Sequence, residues 1–357
     1  MQPIIIIPAL NPNQKMLQLI DELIENGLEH IVVVDDGSSE KYEKVFKDAY
    51  EYGCHVVSHE ENLGKGNAVK TGLKEAVKIF GRDNIFVTVD ADGQHLAGDV
   101  KKVARTGLCH PGKLVLGTRD FHGDDVPWKS RLGNRITSAY FKFETGIKCR
   151  DTQTGLRAIP PLLLELALTT EGDRYEYELN FLLAAVRETE LVYTDIETVY
   201  EEENRESHFH PVKDSYRIYK KPIRYVAIAL GCSLADYLLF CLMLGIFHFS
   251  GFREIFYATS IARISSGSIN FYLNRKYCFE SHNRVGGDMV RYFELFAAQM
   301  CLSAFMVAVL SKFGIIDQIG KLIVDTILFF ASYQLQKTWV FKNEERKGGE
   351  MIWEKRR

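Results

Sequence analysis

The sequence predicts an α/β domain built on a mostly parallel sheet, followed by an all-α domain of four membrane-spanning helices. Up to about Pro211, short apolar runs alternate with segments of helical periodicity, which is the pattern of a parallel sheet covered by helices. After Pro222 the chain becomes a series of long apolar stretches, each near the length of about 20 residues that crosses a bilayer. A chain of 357 residues has room for both domains.

Composition excludes several classes of protein. The formal net charge is only −3, so there is no electrostatic basis for binding nucleic acid. The seven cysteines include no C-x-x-C pair, which disfavours a zinc site and a disulfide framework and favours a reduced compartment. The segment MQPIIIIPALNPN is unlike a signal peptide, so we expect the following residues to stay in the cytosol. The oligomeric state stays open, with a homo-oligomer as one alternative.

Five strands are predicted in the first domain, in chain order. The apolar run PIIIIP predicts a buried parallel strand, and a helix over 13–26 follows and ends at Gly27. The remaining strands are predicted in HIVVVDDGS, HVVSH, NIFVTVDADG and KLVLGTRD, with a helix over 65–80 before the fourth. Ligands bind beyond the carboxyl ends of strands in such sheets, where acidic residues follow the second and fourth strands.

The motif VDADGQH ends the fourth strand in two carboxylates. Asp90 and Asp92 are one residue apart, Gly93 allows a turn, and Gln94 adds an amide oxygen. Clustered carboxylates repel each other unless they are protonated or bridged by a cation. Oxygen ligands suit Mg²⁺ or Mn²⁺, which would neutralise a diphosphate leaving group. The alternative is a solvated turn, because D-x-D alone is common.

The stretch HEENLGKGNAVKTG places Lys65 between two glycines just before a helix. Glycines let the backbone approach a phosphate, and a helix N-terminus favours anions. The stretch is not a P-loop, and the first strand is not followed by G-x-G-x-x-G, which disfavours a dinucleotide oxidoreductase. The alternative is an ordinary capped helix start.

Taken together, PALNPN, VVDDGSS, NLGKGNAVKTG, VDADGQH and GTRD resemble family-2 glycosyltransferases with the GT-A fold, over roughly residues 1–210. The D-A-D-x-Q-H form is similar to the polyprenyl-phosphate sugar transferases, which include dolichol-phosphate mannosyltransferase. The resemblance implies a metal held by Asp90, Asp92 and Gln94, and an Arg119 that reaches phosphate. The nucleotide-binding set that we predict comprises Pro8, Ala9, Asp35, Asp36, Lys65 and Asp90.

The acceptor is expected beside residues 128–160. Arg131 and Arg135 lie near the start of a predicted helix, where cations oppose the dipole unless an anion is close; the alternative is a basic solvated face. DTQTGLR resembles the acceptor-side loop of the subgroup, although Leu156 stands where an aromatic residue is often seen. A phosphate acceptor is already anionic and needs little deprotonation. We therefore predict that Asp151 orients the acceptor or a basic side chain.

The predicted catalytic residues are Asp92, Asp151 and Arg119, and more residues are expected to contact the acceptor or its phosphate. The segment NRESHF resembles one that closes over the substrates in the subgroup, and residues 211–222 resemble a basic interfacial helix on anionic lipid, with a plain linker as the alternative. The predicted acceptor and phosphate contacts are Arg119, Arg131, Arg135, Gln153, Arg157, Arg205, Ser207 and His208.

Four spans are predicted, at 225–249, 255–279, 292–313 and 322–341. SINFYLNRKYCF aligns with FFASYQLQKTWVF so that Phe279 matches Phe341, which indicates a duplicated two-helix hairpin. Residues 222–342 resemble a GtrA-like membrane domain, and Asn274 and Arg275 match its N-R-x-x-x-F signature. Inside the spans, Asp236 is predicted to pair with Arg263.

Most cationic residues near the spans fall on one side, which predicts cytosolic termini and a cytosolic catalytic domain in the cell membrane. The predicted domains are 1–210, a basic linker 211–222, a membrane domain 223–342 and a charged tail 343–357. We expect a metal-dependent, inverting transfer of a hexose from UDP- or GDP-hexose to polyprenyl phosphate. The alternatives are a lipid-linked sugar transporter with a sugar-nucleotide-binding module, a processive polysaccharide synthase and a nucleotidyltransferase.

Overall fold

The computed structural model describes residues 1–121, 126–197, 216–247, 252–313 and 317–342. The chain divides into two compact units, Met1–Ile218 and Tyr219–Arg357. The division falls inside the predicted linker 211–222, while the outer bounds of the predicted domains stay predictions.

The first unit is built on one seven-stranded sheet in the order β3-β2-β1-β4-β6-β5-β7. All neighbouring strands are parallel except β6, which runs antiparallel to both β4 and β5. The predicted mostly parallel sheet is therefore confirmed, and β6 and β7 are additions to the five predicted strands. The strands are β1 Pro3–Ala9, β2 Ile31–Asp35, β3 His55–Ser58, β4 Ile85–Thr88, β5 Leu114–Arg119, β6 Arg157–Ile159 and β7 Leu191–Ile196.

Helices cover both faces of this sheet, and each face has its own hydrophobic core. Successive side chains of a strand point to opposite faces, so Ile5 and Ile7 of β1 lie in one core and Ile4 and Ile6 in the other. Each fully buried isoleucine contributes roughly 1.5–3 kcal/mol. The helices are α1 Gln14–Glu25, α2 Glu43–Glu51, α3 Lys65–Phe80, α4 Ala97–Cys109, α5 Trp128–Thr145, α6 Leu164–Thr169 and α7 Glu176–Glu188.

The regular structure of the second unit is all helical among its described residues, with a loop over 279–284, and its four long helices lie at the four predicted spans. They are α8 Lys220–Phe247, α9 Phe252–Leu273, α10 Val285–Lys312 and α11 Asp317–Leu335. Within the described ranges, Lys220–Met243 and Val285–Leu310 are long and apolar enough to cross a membrane by length and composition. The helices α9 and α11 fall short of that measure. In α9 the reason lies in Arg263, Asn270 and a series of serines.

The two helical hairpins end alike, as the predicted duplication requires. A π-helical segment of five residues continues each second helix, Asn274–Cys278 after α9 and Gln336–Val340 after α11. The rings of Phe279 and Phe341, which the sequence alignment matched, stack with centroids 5.2 Å apart. Arg263 Nε lies 3.7 Å from Asp236 Oδ2, which confirms the predicted ion pair.

Helix α3 approaches the sheet closely at Gly72, and this contact generates a prediction. A Cβ at Gly72 would overlap Ile6 Cγ2 and lie 3.0 Å from Val34 Cγ2, whereas a Cβ at Gly98 in α4 meets nothing within 4 Å. We expect Gly72→Ala to cost about 1–3 kcal/mol in free energy of unfolding, because overpacked cores must shift. Gly98→Ala should be neutral or stabilising by up to about 1 kcal/mol. Thermal unfolding of both full-length variants checks this, and equal midpoints would contradict the tight contact.

Candidate active site

The first cluster of charged side chains lies at the carboxyl end of β4. Lys65, the first residue of α3, places its Nζ 2.6 Å from Asp90 Oδ1 and 2.7 Å from Glu178 Oε1 on α7. Burial opposes the charge of Lys65, but the two carboxylates outweigh it and raise the pKa of Lys65 above its ordinary value. Burial likewise opposes the charge of Asp90, and Lys65 and His95 nevertheless lower the pKa of Asp90. Lysine and aspartate are therefore both charged at neutral pH.

Asp92 lies in the turn that follows. Its Oδ1 accepts a hydrogen bond of 3.0 Å from the Gln94 backbone N–H, and Gly93 has a φ of +76°, which favours glycine. A Cβ at Gly93 would lie 2.9 Å from Lys15 Cδ, so the lysine stem packs against the turn. Burial first, and the charge of Asp90 second, raise the pKa of Asp92.

The donor set fits a hard divalent cation that a bound diphosphate completes. Among the residues that the structure describes, no three His, Cys, Asp or Glu side chains converge on one point. Mg²⁺ is usually held by one or two carboxylates together with substrate phosphates, and keeps several waters. Asp90 Oδ1 already contacts Lys65, so Asp92 is the better of the two ligands, with Gln94 beside it. A cation would also relieve the repulsion that raises the pKa of Asp92.

The acceptor-side loop 151–156 packs directly on this cluster. A Cβ at Gly155 would overlap the carboxylate of Asp90, so only glycine leaves room for that side chain. The Thr88 hydroxyl of β4 donates a hydrogen bond of 2.7 Å to the Gly155 carbonyl. The end of β4 and the loop are thereby held together.

Asp151, which is fully buried, and Arg119, which is partly buried, form a bidentate ion pair. Arg119 Nε lies 2.7 Å from Asp151 Oδ2, and Arg119 Nη2 lies 3.0 Å from Asp151 Oδ1. The Asp151 carboxylate is fully buried and also accepts the Gln153 backbone N–H at 3.0 Å. Of the two predicted roles for Asp151, orienting a basic side chain matches this geometry.

Helix α5 anchors the same loop. Asn134 Nδ2 donates to the Arg150 carbonyl at 3.1 Å, and Asn134 Oδ1 accepts the Thr152 N–H at 3.2 Å. Gln153 Nε2 donates to the Thr137 hydroxyl at 3.3 Å. Arg131 and Arg135 lie exposed on this helix. The loop therefore has a fixed position relative to the helix that carries both arginines.

Arg157 stabilises the loop by hydrogen bonds to its backbone. Its buried guanidinium donates to three backbone carbonyls, at 2.9 Å to Thr154, 2.7 Å to Glu178 and 3.4 Å to Thr152. With its hydrogen bonds taken by the chain, this arginine positions the loop rather than offering charge to a bound phosphate.

The predicted nucleotide side lies at the ends of β1 and β2. Pro8 and Ala9 are buried, and Asp35 Oδ1 accepts the Ser38 N–H at 2.8 Å. A cavity of about 530 Å³ opens beside Asp35, with Ser38 and Ser58 and the α2 residues Phe46 and Tyr50 among its lining. Its size is that of a small-molecule site, about 300–1,000 Å³.

Asp36 has a different environment from Asp35. It is buried, and its carboxylate accepts the N–H groups of Leu63 at 3.0 Å and Gly64 at 2.9 Å and contacts His59 Nδ1 at 2.9 Å. It therefore fastens the loop that carries Lys65, and its oxygens are already bonded without a nucleotide.

The two glycines beside Lys65 have a structural reason that the sequence analysis missed. A Cβ at Gly64 would lie 2.5 Å from the Asp173 carbonyl oxygen, and a Cβ at Gly66 would lie 2.6 Å from Tyr177 Cβ. The Asn67 N–H at the start of α3 donates to the Asp173 carbonyl at 3.1 Å. The segment before α7 therefore packs against the start of α3, where the sequence analysis expected a phosphate to bind.

Two further residues were missed. Glu178 lies on α7, and nothing in the sequence near it indicates that it contacts Lys65. His95 is buried, its Nε2 lies 3.9 Å from Asp90 Oδ2, and its Nδ1 has no partner among the described residues. The position of His95 at the end of the DADGQH motif could have indicated that it lies near Asp90. Arg205, Ser207 and His208 lie outside the described residues, so their predicted contacts stay predictions.

Known protein families match both halves of the chain. The model of the family described as Glycosyl transferase family 2 matches residues 4–160, and that of the GtrA/DPMS transmembrane domain matches residues 224–341. An uncharacterised protein of Methanocaldococcus jannaschii is 31% identical over 203 residues, which cover 56% of this chain and 82% of that protein.

A named relative and a solved structure add to this comparison. The UDP-N-acetylglucosamine–dolichyl-phosphate N-acetylglucosaminyltransferase of Methanococcus voltae is 30% identical over 217 residues, covering 56% of this chain and 86% of that enzyme. Glucosyl-3-phosphoglycerate synthase from Mycobacterium tuberculosis, solved with Mn²⁺, UDP and glucosyl-3-phosphoglycerate, gives a TM-score of 0.45 at 19% identity, covering 62% of this chain and 77% of that one. The sequence matches show that the chain belongs to glycosyltransferase family 2, with a second unit that is a GtrA/DPMS transmembrane domain.

Proposed function

We propose that the protein transfers a hexose from a nucleotide-diphosphate sugar to polyprenyl phosphate at the cytosolic face of the cell membrane. The observation that carries this proposal is the contact between the Asp90 carboxylate and Gly155, which joins the metal-binding turn to the acceptor-side loop. Donor and acceptor groups would thereby meet at one point. The Methanococcus voltae relative, whose name gives dolichyl phosphate as acceptor, supports the acceptor class.

In this reaction an oxygen of the acceptor phosphate attacks the anomeric carbon of the sugar. The bond from that carbon to the diphosphate breaks, and the nucleoside diphosphate leaves with the electron pair, so one displacement inverts the anomeric centre. Mg²⁺ or Mn²⁺ on Asp92, Asp90 and Gln94 would supply positive charge to the leaving diphosphate. The acceptor is already an anion, so the chain's task is positioning and charge stabilisation.

The arginines divide that task. Asp151 fixes the plane of the Arg119 guanidinium through two hydrogen bonds, at 2.7 and 3.0 Å. A guanidinium held in this way is already fixed in one orientation, so it would lose little side-chain entropy on meeting a phosphate. Arg131 and Arg135 are exposed on α5, within the helix that anchors the acceptor-side loop, and we assign them to the acceptor phosphate.

A membrane-facing site is supported by the surface of α5. Trp128, Leu132 and Ile136 are 67%, 47% and 50% exposed and follow one another at four-residue spacing, so they form one apolar stripe. The two exposed arginines beside this stripe suit anionic lipid headgroups. The acceptor-side loop would then lie where a polyprenyl phosphate emerges from the bilayer.

The direct test uses the full-length protein with a panel of UDP- and GDP-hexoses, undecaprenyl or dolichyl phosphate, and Mn²⁺ or Mg²⁺. We expect one donor to give a lipid product that carries a single sugar of inverted anomeric configuration, and no product in excess chelator. Undiminished transfer in chelator would rule out the metal role. A ladder of longer products would favour a processive synthase instead.

Asp92 is the first residue to test. We expect Asp92→Asn to lower kcat by about 10²–10³-fold, because the leaving diphosphate loses its charge stabilisation. Asp83→Asn is the matched control: Asp83 is exposed just before the start of β4, at the opposite end from Asp92, so its change should leave kcat unaltered. Similar kcat values for the two variants, with similar thermal midpoints, would remove Asp92 from the metal site.

The buried pair of Asp151 and Arg119 is tested by stability as well as by rate. Asp151→Asn should lower the free energy of unfolding by about 3–5 kcal/mol, since it removes the fully buried carboxylate charge that pairs with the partly buried Arg119. The control is Glu165→Gln, which breaks the exposed pair with Arg82 and should cost less than about 1 kcal/mol. Thermal unfolding of the full-length variants gives both values. A wild-type midpoint and wild-type kcat for Asp151→Asn would refute its positioning role.

A further inference from the structure

The Glu178 carboxylate shares the ammonium group of Lys65 with Asp90. Lys65 Nζ lies 2.7 Å from Glu178 Oε1 and 2.6 Å from Asp90 Oδ1, and the three side chains are between 15% and 24% exposed. The transfer reaction proposed above uses Asp90 at the metal and gives Glu178 no part. A charge in a partly buried place is costly unless it is paired. One lysine needs one carboxylate as its partner, so the second carboxylate requires a separate explanation.

Glu178 is the partner of Lys65 that the fold holds in place. It lies in the first turn of α7, and its backbone carbonyl accepts a hydrogen bond of 2.7 Å from Arg157 Nη1. The ring of Tyr175, which precedes α7, has its centroid 5.8 Å from Lys65 Nζ. The beginning of α7 therefore contacts the lysine through two side chains, independently of Asp90.

The charges around Lys65 are those that one divalent cation would balance. Asp90, Asp92 and Glu178 supply three negative charges and Lys65 supplies one positive charge, so two negative charges are left over. Asp92 belongs to this group, since the charges of Asp90 and Lys65 both act on the pKa of its carboxyl group. Without Glu178 only one negative charge would be left over, and without Lys65 there would be three.

Lys65 and a divalent cation compete for the carboxylate of Asp90. The ammonium group contacts Asp90 Oδ1, and a lysine that stays there repels a second positive charge bound to the same side chain. The second partner of the lysine lies at almost the same distance as the first. Lys65 can therefore release Asp90 to a cation and still keep an ion pair.

We propose that Glu178 is a positioning residue that sets the affinity of the site for its divalent cation, by retaining Lys65 when the cation binds Asp90. This inference rests on the metal site of the proposed function and adds a residue from outside the metal-binding turn. Its consequence is a pair of effects of opposite sign. Loss of the Glu178 charge leaves Lys65 on Asp90 and weakens cation binding, whereas loss of the Lys65 charge frees Asp90 and strengthens it. A merely structural role for these ion pairs would weaken cation binding in both variants.

The test measures Mn²⁺ binding by the full-length protein in detergent, without donor or acceptor. Free Mn²⁺ gives an electron paramagnetic resonance signal that is lost on binding, so a titration yields the dissociation constant. We expect Glu178→Gln to raise this constant about tenfold and Lys65→Met to lower it about tenfold. Asp92→Asn should remove the binding, which identifies the site. Because no sugar is transferred, failure of this test and failure of the proposed transfer reaction are separate results.

Two control variants make the same changes of charge elsewhere on the same helices. Glu188→Gln neutralises an exposed acid at the far end of α7, and Lys74→Met removes an exposed charge from α3, so neither should change the dissociation constant. Glu178→Asp keeps the charge and should restore part of the affinity that Glu178→Gln loses. If binding by the unmodified protein is too weak to titrate, Glu178→Gln is compared with it in the presence of UDP and of GDP, with the same loss expected.

Three results would overturn the proposal. The first is a similar loss of affinity in Glu178→Gln and Lys65→Met, and the second is an unchanged dissociation constant in a folded Glu178→Gln. The third is Mn²⁺ binding that survives Asp92→Asn, or that neither the unmodified protein nor Lys65→Met shows. If Lys65→Met does not fold, the comparison of Glu178→Gln with Glu178→Asp decides, and equal affinities of these two variants would contradict the role of the Glu178 charge.

Discussion

The position of the Asp90 carboxylate is the constraint on which the site depends. One of its oxygens contacts Lys65 of α3, and the whole group packs against the backbone of Gly155. Lys65 in turn reaches Glu178 of α7. A single side chain at the end of β4 thus joins two helices and the acceptor-side loop, which are far apart along the chain. Any shift of this carboxylate would disturb all three.

Most of the acidic side chains in this partly buried site are paired with a cationic side chain. Asp90 and Glu178 share the one positive charge of Lys65, and Asp151 is paired with Arg119. Asp92 is the exception, because burial and its acidic neighbour raise its pKa. Asp92 is thus the carboxylate whose ionised form the protein disfavours, so a bound cation would stabilise it most. Preorganised ion pairs around it keep the remaining groups in place.

Much of the fold and part of the site could be predicted from sequence. A short, fully apolar run such as Pro3–Ala9 strongly predicts a buried parallel strand. Acidic residues at strand ends indicate the edge of the sheet where ligands bind in open α/β folds. The strand Arg157–Ile159 was not predictable, since three residues show no periodicity. Nor was Glu178, whose partner Lys65 is brought to it by tertiary folding alone. Asp35 and Asp36 are adjacent and chemically identical, and their different environments depend on how the strand end turns.

The direction of β6 has a consequence for how acceptor recognition can diversify. Because this strand is antiparallel, its beginning lies at the edge where the other strands end, and only Leu156 separates Gly155 from it. The loop is therefore pinned by the register of the sheet. The part of the chain between β5 and β6 can change in length or composition while the register of β6 keeps Gly155 in place. Substitutions between β5 and β6 can therefore accumulate without moving the point at which Gly155 packs against Asp90.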